Sequence, residues 1–271
     1  MIYISTLDPN DYKSLIAEKF REETGRTITF DGDITISIYP WLGLESNGVT
    51  IGNAPGFGDT PFLHTDHTMV RIKFMPLLRE KYEIDTVRLY GLSVNLIKDE
   101  TGRTNWDDLV NGEEDEGSSN LPLAALVLGG VDIRDASFSW DDQVSGAHYT
   151  ISNMMMKTGE LVYGEPIDVS LTMDAVSNQP ELTADVTFTS TISYDLDNEI
   201  YDIAPLDFRM ILAGPNVPQN STDITLQSAI RINLDYETMT VSNLDFNALG
   251  ANLTGTINVS NILDEKPSLQ T

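Results

Sequence analysis

The sequence predicts a mainly β protein, with one large antiparallel sheet, an N-terminal α-helix and short helical turns. Three observations support this fold class. Apolar and polar residues alternate over many short runs, clusters of Gly, Asn and Asp separate those runs, and only the N-terminal segment has clear helical periodicity. Alternation with a period of two gives each strand one apolar and one polar face, which is typical of antiparallel sheets with one face in water.

The predicted helix begins at Asp8 and ends at Gly25. Asp8 is a good N-cap residue, Pro9 suits the first helical position, and glycine favours a helix end. One apolar stripe runs along the helix and consists of Tyr12, Leu15, Ile16 and Phe20. We expect this helix to cover an end of the sheet, either as ordinary packing or as a plug of an open end.

Five runs carry the alternation most clearly, and their apolar residues are expected on one face of the sheet. They are Ile34, Ile36 and Ile38; Val87 and Leu89; Val186 and Phe188; Phe208, Met210 and Leu212; and Ile230, Ile232 and Leu234. The pattern does not distinguish an open apolar face from a closed core. Helical interruptions are short: a single turn at residues 75–78, and a short helix through Leu109 after a capping box at residues 104–107.

Charge and composition exclude several classes of protein. The chain has 42 acidic and 16 basic residues, a net charge of −26, and no cysteine. Binding to nucleic acid or to an anionic membrane surface needs clustered cations, and disulfides, zinc ribbons and iron–sulfur sites need cysteine. The stretch 111–120 has no apolar residue and is predicted to be an acidic flexible loop between regions 8–110 and 121–271.

A weak internal repeat spans three segments. Residues 48–54 resemble residues 130–136, and residues 86–92 form a looser copy. The valines at positions 49, 87 and 131 are separated by 38 and 44 residues. Variable spacing favours stacked hairpins added side by side over a strict solenoid, and chance is an alternative for so short a pattern.

The sequence contains no convincing catalytic or metal site, and we predict neither catalysis nor a cofactor. His64 and His67 are expected on opposite faces of a strand, where they would not share a metal. Adjacent carboxylates at residues 107–108 and 141–142 usually diverge, whereas a glycosidase needs two that face one bond.

Motifs in the expected order resemble those of the AsmA family, over nearly the whole chain. They lie at residues 8–13, 23–26, 32–33, 39–44, 52–59, 75–78, 84–85, 102–109, 133–136, 139–142, 247–250 and 253–255. They include Asp-Pro-Asn-Asp-Tyr-Lys, Gly-Asn-Ala-Pro-Gly-Phe-Gly-Asp and Gly-Arg-Thr-Asn-Trp-Asp-Asp-Leu.

This resemblance implies a periplasmic protein of Gram-negative bacteria that is anchored in the inner membrane and acts in outer-membrane biogenesis. Residues 1–7 would be the remnant of an N-terminal membrane anchor, and the region 121–271 would be truncated at its C-terminal end. Larger relatives resemble bridge-type lipid-transfer proteins, in which a curved sheet forms a groove with an apolar inner face. The thirteen alternating residues given above would then line a lipid groove.

Three functions remain open from the sequence. The first is transport or binding of phospholipid, or another acyl lipid, along the groove. The second is a scaffold for outer-membrane proteins or other envelope proteins, which would bind at a sheet edge. The third is a carbohydrate-active β enzyme that uses Asp141 or Asp142.

Overall fold

A computed structural model describes residues 8–37, 41–77, 79, 82–110, 126–263 and 268–270. The fold is mainly β with a short N-terminal helix, which confirms the predicted class. The chain forms two compact units, Met1–Asn153 and Met154–Thr271. The predicted anchor remnant at 1–7 and acidic loop at 111–120 lie outside the described residues, as does Ile38. Within those residues no helix is long and apolar enough to span a membrane.

The N-terminal helix confirms the prediction from local sequence. The Asp8 side chain accepts a hydrogen bond from the Asn10 amide at 2.9 Å and begins a 3₁₀ turn, Pro9–Tyr12. Helix α1, Lys13–Thr24, continues from that turn. It ends at Gly25, whose φ of 72° lies in the left-handed region that glycine adopts without steric cost.

Among the described residues of the first unit, nine strands, β1 to β9, and two short helices follow α1. The strands are β1 Ile28–Phe30, β2 Ile34–Ser37, β3 Trp41–Ile51, β4 Leu63–Lys73, β5 Tyr82–Ile84, β6 Val87–Tyr90, β7 Ser93–Lys98, β8 Leu126–Leu128 and β9 Val131–Asp142. The helices are α2 Phe74–Leu77 and α3 Asp107–Val110. Strands β1 to β4 pair antiparallel, with β1 and β2 both beside β3.

Two of the three segments of the internal repeat, residues 86–92 and 130–136, lie on strands that pair in parallel. Val87 lies opposite Val131 in the β6–β9 pair, and Ser93 lies opposite Ser137 in the β7–β9 pair. The offset of 44 residues between the sequence copies is therefore the register of the strands. The sheet of this unit is mixed, since β5 and β8 are parallel too.

The second unit is an antiparallel meander. Strand β10, Ala147–Thr158, leads into it. It contains β11 Leu161–Val162, β12 Ile167–Asn178, β13 Glu181–Asp195, β14 Ile200–Ala213, β15 Ser221–Asn233, β16 Thr238–Ala248, β17 Ala251–Ser260 and β18 Ser268–Gln270. From β12 to β18 each strand pairs with the next. Between β14 and β15 there is a 3₁₀ turn, Pro218–Asn220.

Candidate functional site

One face of the second unit is apolar across six strands, and we call it the apolar face. Residues directly opposite each other on paired strands share a face of the sheet. Two rows of such residues cross all six strands from β12 to β17, a third row crosses β12 to β15, and a fourth crosses β13 to β17. In that order they are Leu171, Phe188, Phe208, Leu226, Phe246 and Leu253; Ile167, Ile192, Ile203, Ile230, Val241 and Ile257; Met173, Val186, Met210 and Ile224; and Tyr194, Tyr201, Ile232, Met239 and Val259.

Most side chains of the apolar face are only half-buried. Val186 and Val259 are 7% and 8% exposed, but their neighbours along the rows retain more contact with solvent, and Leu253 is 55% exposed. The described residues of this unit contain neither an α-helix nor a second sheet. Within this unit, therefore, the face has no secondary-structure layer of its own packed over it.

The opposite face of the same strands is polar. Arg209 on β14 pairs with Asp223 on β15 at 2.9 Å, and the Gln227 amide donates to Asp207 at 2.7 Å. The hydrogen bond from Arg209 lowers the pKa of Asp223 below its usual range. The side chains of this polar face are compatible with solvent, so the meander has one apolar side and one polar side.

The structure brings the predicted residues of the second unit together. Phe188 lies opposite Phe208, Val186 lies opposite Met210, and Leu212 lies opposite Ala184. The other two strand residues, Ile230 and Ile232, belong to neighbouring rows of the apolar face. Leu234 follows the end of β15, and its amide donates to the Glu199 carbonyl at 3.0 Å. Contact with lipid stays a prediction for all of them.

The predicted residues of the first unit have more varied surroundings. Ile34 is 5% exposed and lines an apolar cavity of about 490 Å³ together with Leu89. Ile36, two residues further along β2, is 47% exposed and lies opposite Leu44. Val87 is half-buried beside β9.

β-Bulges hid part of the apolar face from a pattern with a period of two. Ile203 and Leu206 pair with Ile192 and Ser190, so they face the same side although they are three residues apart. A similar irregularity separates Val241 from Leu244. Alternation in the sequence was the correct signal, but each bulge reverses its phase.

The acidic pair at residues 107–108 has structural roles. The Asp107 side chain accepts hydrogen bonds from the amide and hydroxyl of Thr104, which confirms the predicted cap of α3, although the hydroxyl donates and does not accept. Asp108 binds the buried guanidinium of Arg26. These hydrogen bonds lower both pKa values, so each carboxyl stays ionised and is poorly suited to be a general acid.

In the second acidic pair, hydrogen bonds keep Asp142 ionised. Desolvation acts to raise the pKa of Asp142, but the combined hydrogen bonds from Ser145, Val144 and Lys98 lower it. Asp141 lies 3.8 Å from the His148 ring. The lowered pKa of Asp142 makes this carboxyl a poor general acid.

The expectation that His64 and His67 face opposite sides of β4 is wrong. Leu63, Thr65 and Thr68 all line the apolar cavity, so the alternation of β4 breaks after Thr65 and both histidines lie on the polar side. They bind separate partners: His64 contacts Thr50 and Asp66, and His67 contacts Asn47. The described part of the chain contains no group of three His, Asp or Glu residues arranged for a metal.

Comparison with known families gives one clear match. The sequence model of the AsmA family matches residues 1–193, which is most of the chain. The chain belongs to the AsmA family. A search of curated proteins found no match.

Membership of the AsmA family supports a role in outer-membrane biogenesis. The family is not a known enzyme family, which agrees with the structural roles of the acidic pairs. The match covers the whole cavity of the first unit and the first strands of the apolar face.

Proposed function

We propose that this AsmA-family protein acts in the periplasm, attached to the inner membrane, and binds or passes phospholipid along the apolar face. The protein serves outer-membrane biogenesis as a lipid carrier and not as an enzyme. The single observation that carries this proposal is the set of apolar rows on β12 to β17, two of which run uninterrupted across all six strands, on a face that no layer covers among the described residues of the same unit.

The physical need for such a face follows from lipid chemistry. Moving two sixteen-carbon chains into water costs roughly 25 kcal/mol, at about 0.8 kcal/mol for each methylene. A carrier lowers that cost by offering a continuous apolar surface, and neither catalysis nor nucleotide hydrolysis is needed for the contact itself. The polar opposite face, with pairs such as Arg209–Asp223, keeps the same strands compatible with water.

Lipid extraction tests the proposal directly. The protein is purified from bacterial membranes and periplasm without detergent, extracted into organic solvent and examined by mass spectrometry. We expect phospholipid in the extract. Protein that carries none after gentle purification, and takes up none from phospholipid vesicles, would overturn the proposal.

Two neighbouring residues on β14 provide a matched pair of variants. Met210 lies on the apolar face, whereas Ile211 lies on the polar face and is 36% exposed. Met210→Glu places a carboxylate between Val186 and Ile224, where acyl chains would contact it, and burying that charge is costly. We expect Met210→Glu to lower bound phospholipid severalfold and Ile211→Glu to leave it unchanged; equal effects would contradict the proposed face.

A scaffold function is the second candidate, favoured by the edge of β17. Residues 251–256 are all exposed, and among the described residues β18 pairs with β17 only at Asn258, Val259 and Ser260. An open edge offers backbone donors and acceptors to an added strand. A photo-crosslinking residue in place of Thr254 would recover envelope proteins if this function operates, and no protein if it does not.

A further inference from the structure

Polar contacts attach the N-terminal end of α1 to the sheet, and a buried arginine that binds Asp108 of α3 follows its C-terminal end. Near its N-terminal end, the Asn10 side chain bonds both the amide and the carbonyl of Ile34, at 2.9 and 3.2 Å, and Lys13 donates to the Gly32 carbonyl at 2.8 Å. Just beyond its C-terminal end lies the fully buried Arg26. No residue of α1 itself is buried. Polar contacts therefore hold the N-terminal end of the helix, while its middle packs loosely.

An apolar cavity of about 490 Å³ is lined by Ile16, in the N-terminal third of α1. The sheet supplies the other walls, among them Phe30, Leu44, Val49 and Leu63. The volume is within the range of about 300–1,000 Å³ that is typical of ligand sites. None of the side chains that line the cavity is charged, so it favours an apolar ligand over water or an ion.

One polar group on the wall lacks a partner. Ser46 on β3 is 2% exposed, and its hydroxyl makes no hydrogen bond. The two other hydroxyls on the wall are satisfied: Thr65 donates to the carbonyls of Tyr90 and His67, and Thr68 donates to Thr65. A buried hydroxyl without a partner is unfavourable, and a ligand with an acceptor oxygen would satisfy it.

We propose that this cavity binds a single acyl chain that bears an uncharged ester, with the Ser46 hydroxyl donating to the ester oxygen. The inference rests on the proposed function, since the ligand belongs to the same chemical class. The inference adds a separate binding site in the first unit. It also specifies that an acyl chain with its ester is the part of the lipid bound there. A phosphate or carboxylate does not enter, because no cation lines the cavity to offset the loss of its hydration.

Adjacent residues of α1 supply a matched test. The probe is the methyl ester of cis-parinaric acid, a fluorescent acyl ester, titrated into the purified chain. The two residues are similarly exposed, Ile16 at 41% and Leu15 at 50%, but only Ile16 lines the cavity. We expect Ile16→Ala to weaken binding about five- to tenfold through lost apolar contact, and Leu15→Ala to change it less than twofold. Equal effects of the two variants would overturn the inference.

Two variants of Ser46 separately test the hydrogen bond from its hydroxyl to the ester and the space in the cavity for the acyl chain. Ser46→Ala is expected to weaken binding of the ester about three- to tenfold. It should leave binding of diphenylhexatriene, an apolar probe without oxygen, unchanged. Ser46→Phe fills the cavity and should abolish saturable binding of both probes. Wild-type affinity in correctly folded Ser46→Phe would overturn the site; if that variant misfolds, the Ile16 and Leu15 pair decides.

The two proposals fail in different experiments. Met210→Glu leaves the cavity intact, so it should bind the parinaric ester as the wild type does. If phospholipid co-purifies with the chain but the cavity variants have no effect on the ester, the carrier function stands and the cavity assignment is wrong. If the ester binds saturably to a chain that carries no phospholipid, the cavity assignment stands and the carrier function is wrong.

Discussion

Removing the Asp108 carboxylate should destabilise the first unit, because Arg26 depends on it. The Arg26 side chain has no solvent-accessible surface and lies 4.5 Å over the Phe62 ring. Asp108 accepts from its Nη2 at 2.6 Å and from its Nε at 2.8 Å, and the Asn105 carbonyl accepts a further bond. The Asp108→Ala change leaves a buried cation with one neutral acceptor.

The expected loss follows from burial. Removing one partner of a fully buried ion pair costs about 3–5 kcal/mol. The Asp108 side chain is 36% exposed, so water would reach part of the vacated site and reduce the cost to about 2–3 kcal/mol. Since the pKa of Asp108 is lowered in the folded state, its contribution is fully present above about pH 4 and is lost as the pH falls through the folded-state pKa.

Urea unfolding followed by tryptophan fluorescence measures the loss of stability of the first unit in the Asp108→Ala variant. All three tryptophans, at positions 41, 106 and 140, lie within the first unit. Asp107→Ala is the matched control, because it removes the neighbouring helix-capping carboxylate, which is exposed to water, and it should cost less. An Asp108→Ala variant no less stable than Asp107→Ala would refute the reasoning. A double Arg26→Met, Asp108→Leu variant should recover stability, since the buried charge is gone.

Three further predictions concern stability and charge. Gly25→Ala should lower the free energy of unfolding by about 1 kcal/mol, because alanine is strained at a φ of 72°. No atom lies near enough to the added Cβ to clash and increase that cost. An unchanged midpoint of urea unfolding would contradict this. The hydrogen bond from the Thr101 hydroxyl, with those of Arg103, lowers the pKa of Asp99 to about 2. The stabilisation that the Asp99 carboxylate contributes is therefore lost as the pH falls from about 4 to about 2. Carbon NMR should find a higher pKa for Asp99 in the Thr101→Val variant. Adding salt should raise the thermal midpoint, because a chain with 42 acidic and 16 basic residues repels itself; a flat salt series would exclude this.

Local sequence was sufficient where an element depends on its own residues. The Asp8 cap and Gly25 determine the limits of the N-terminal helix, because both act within one turn of the backbone. The capping box before α3 is local as well. Strand alternation identified β13, β14 and β15, since the period of two is a property of the extended chain.

Tertiary structure determined which strands are neighbours and what covers them. The parallel pairing of β6 with β9 joins residues 44 positions apart, and an alternating pattern contains no information about such a partner. Ile34 and Ile36 belong to one run, yet they are 5% and 47% exposed. The sequence by itself established which residues are apolar, and their phase only within a run that no bulge interrupts. Their burial depends on the layers that other segments place above them, which is a property of the folded chain and not of any single strand.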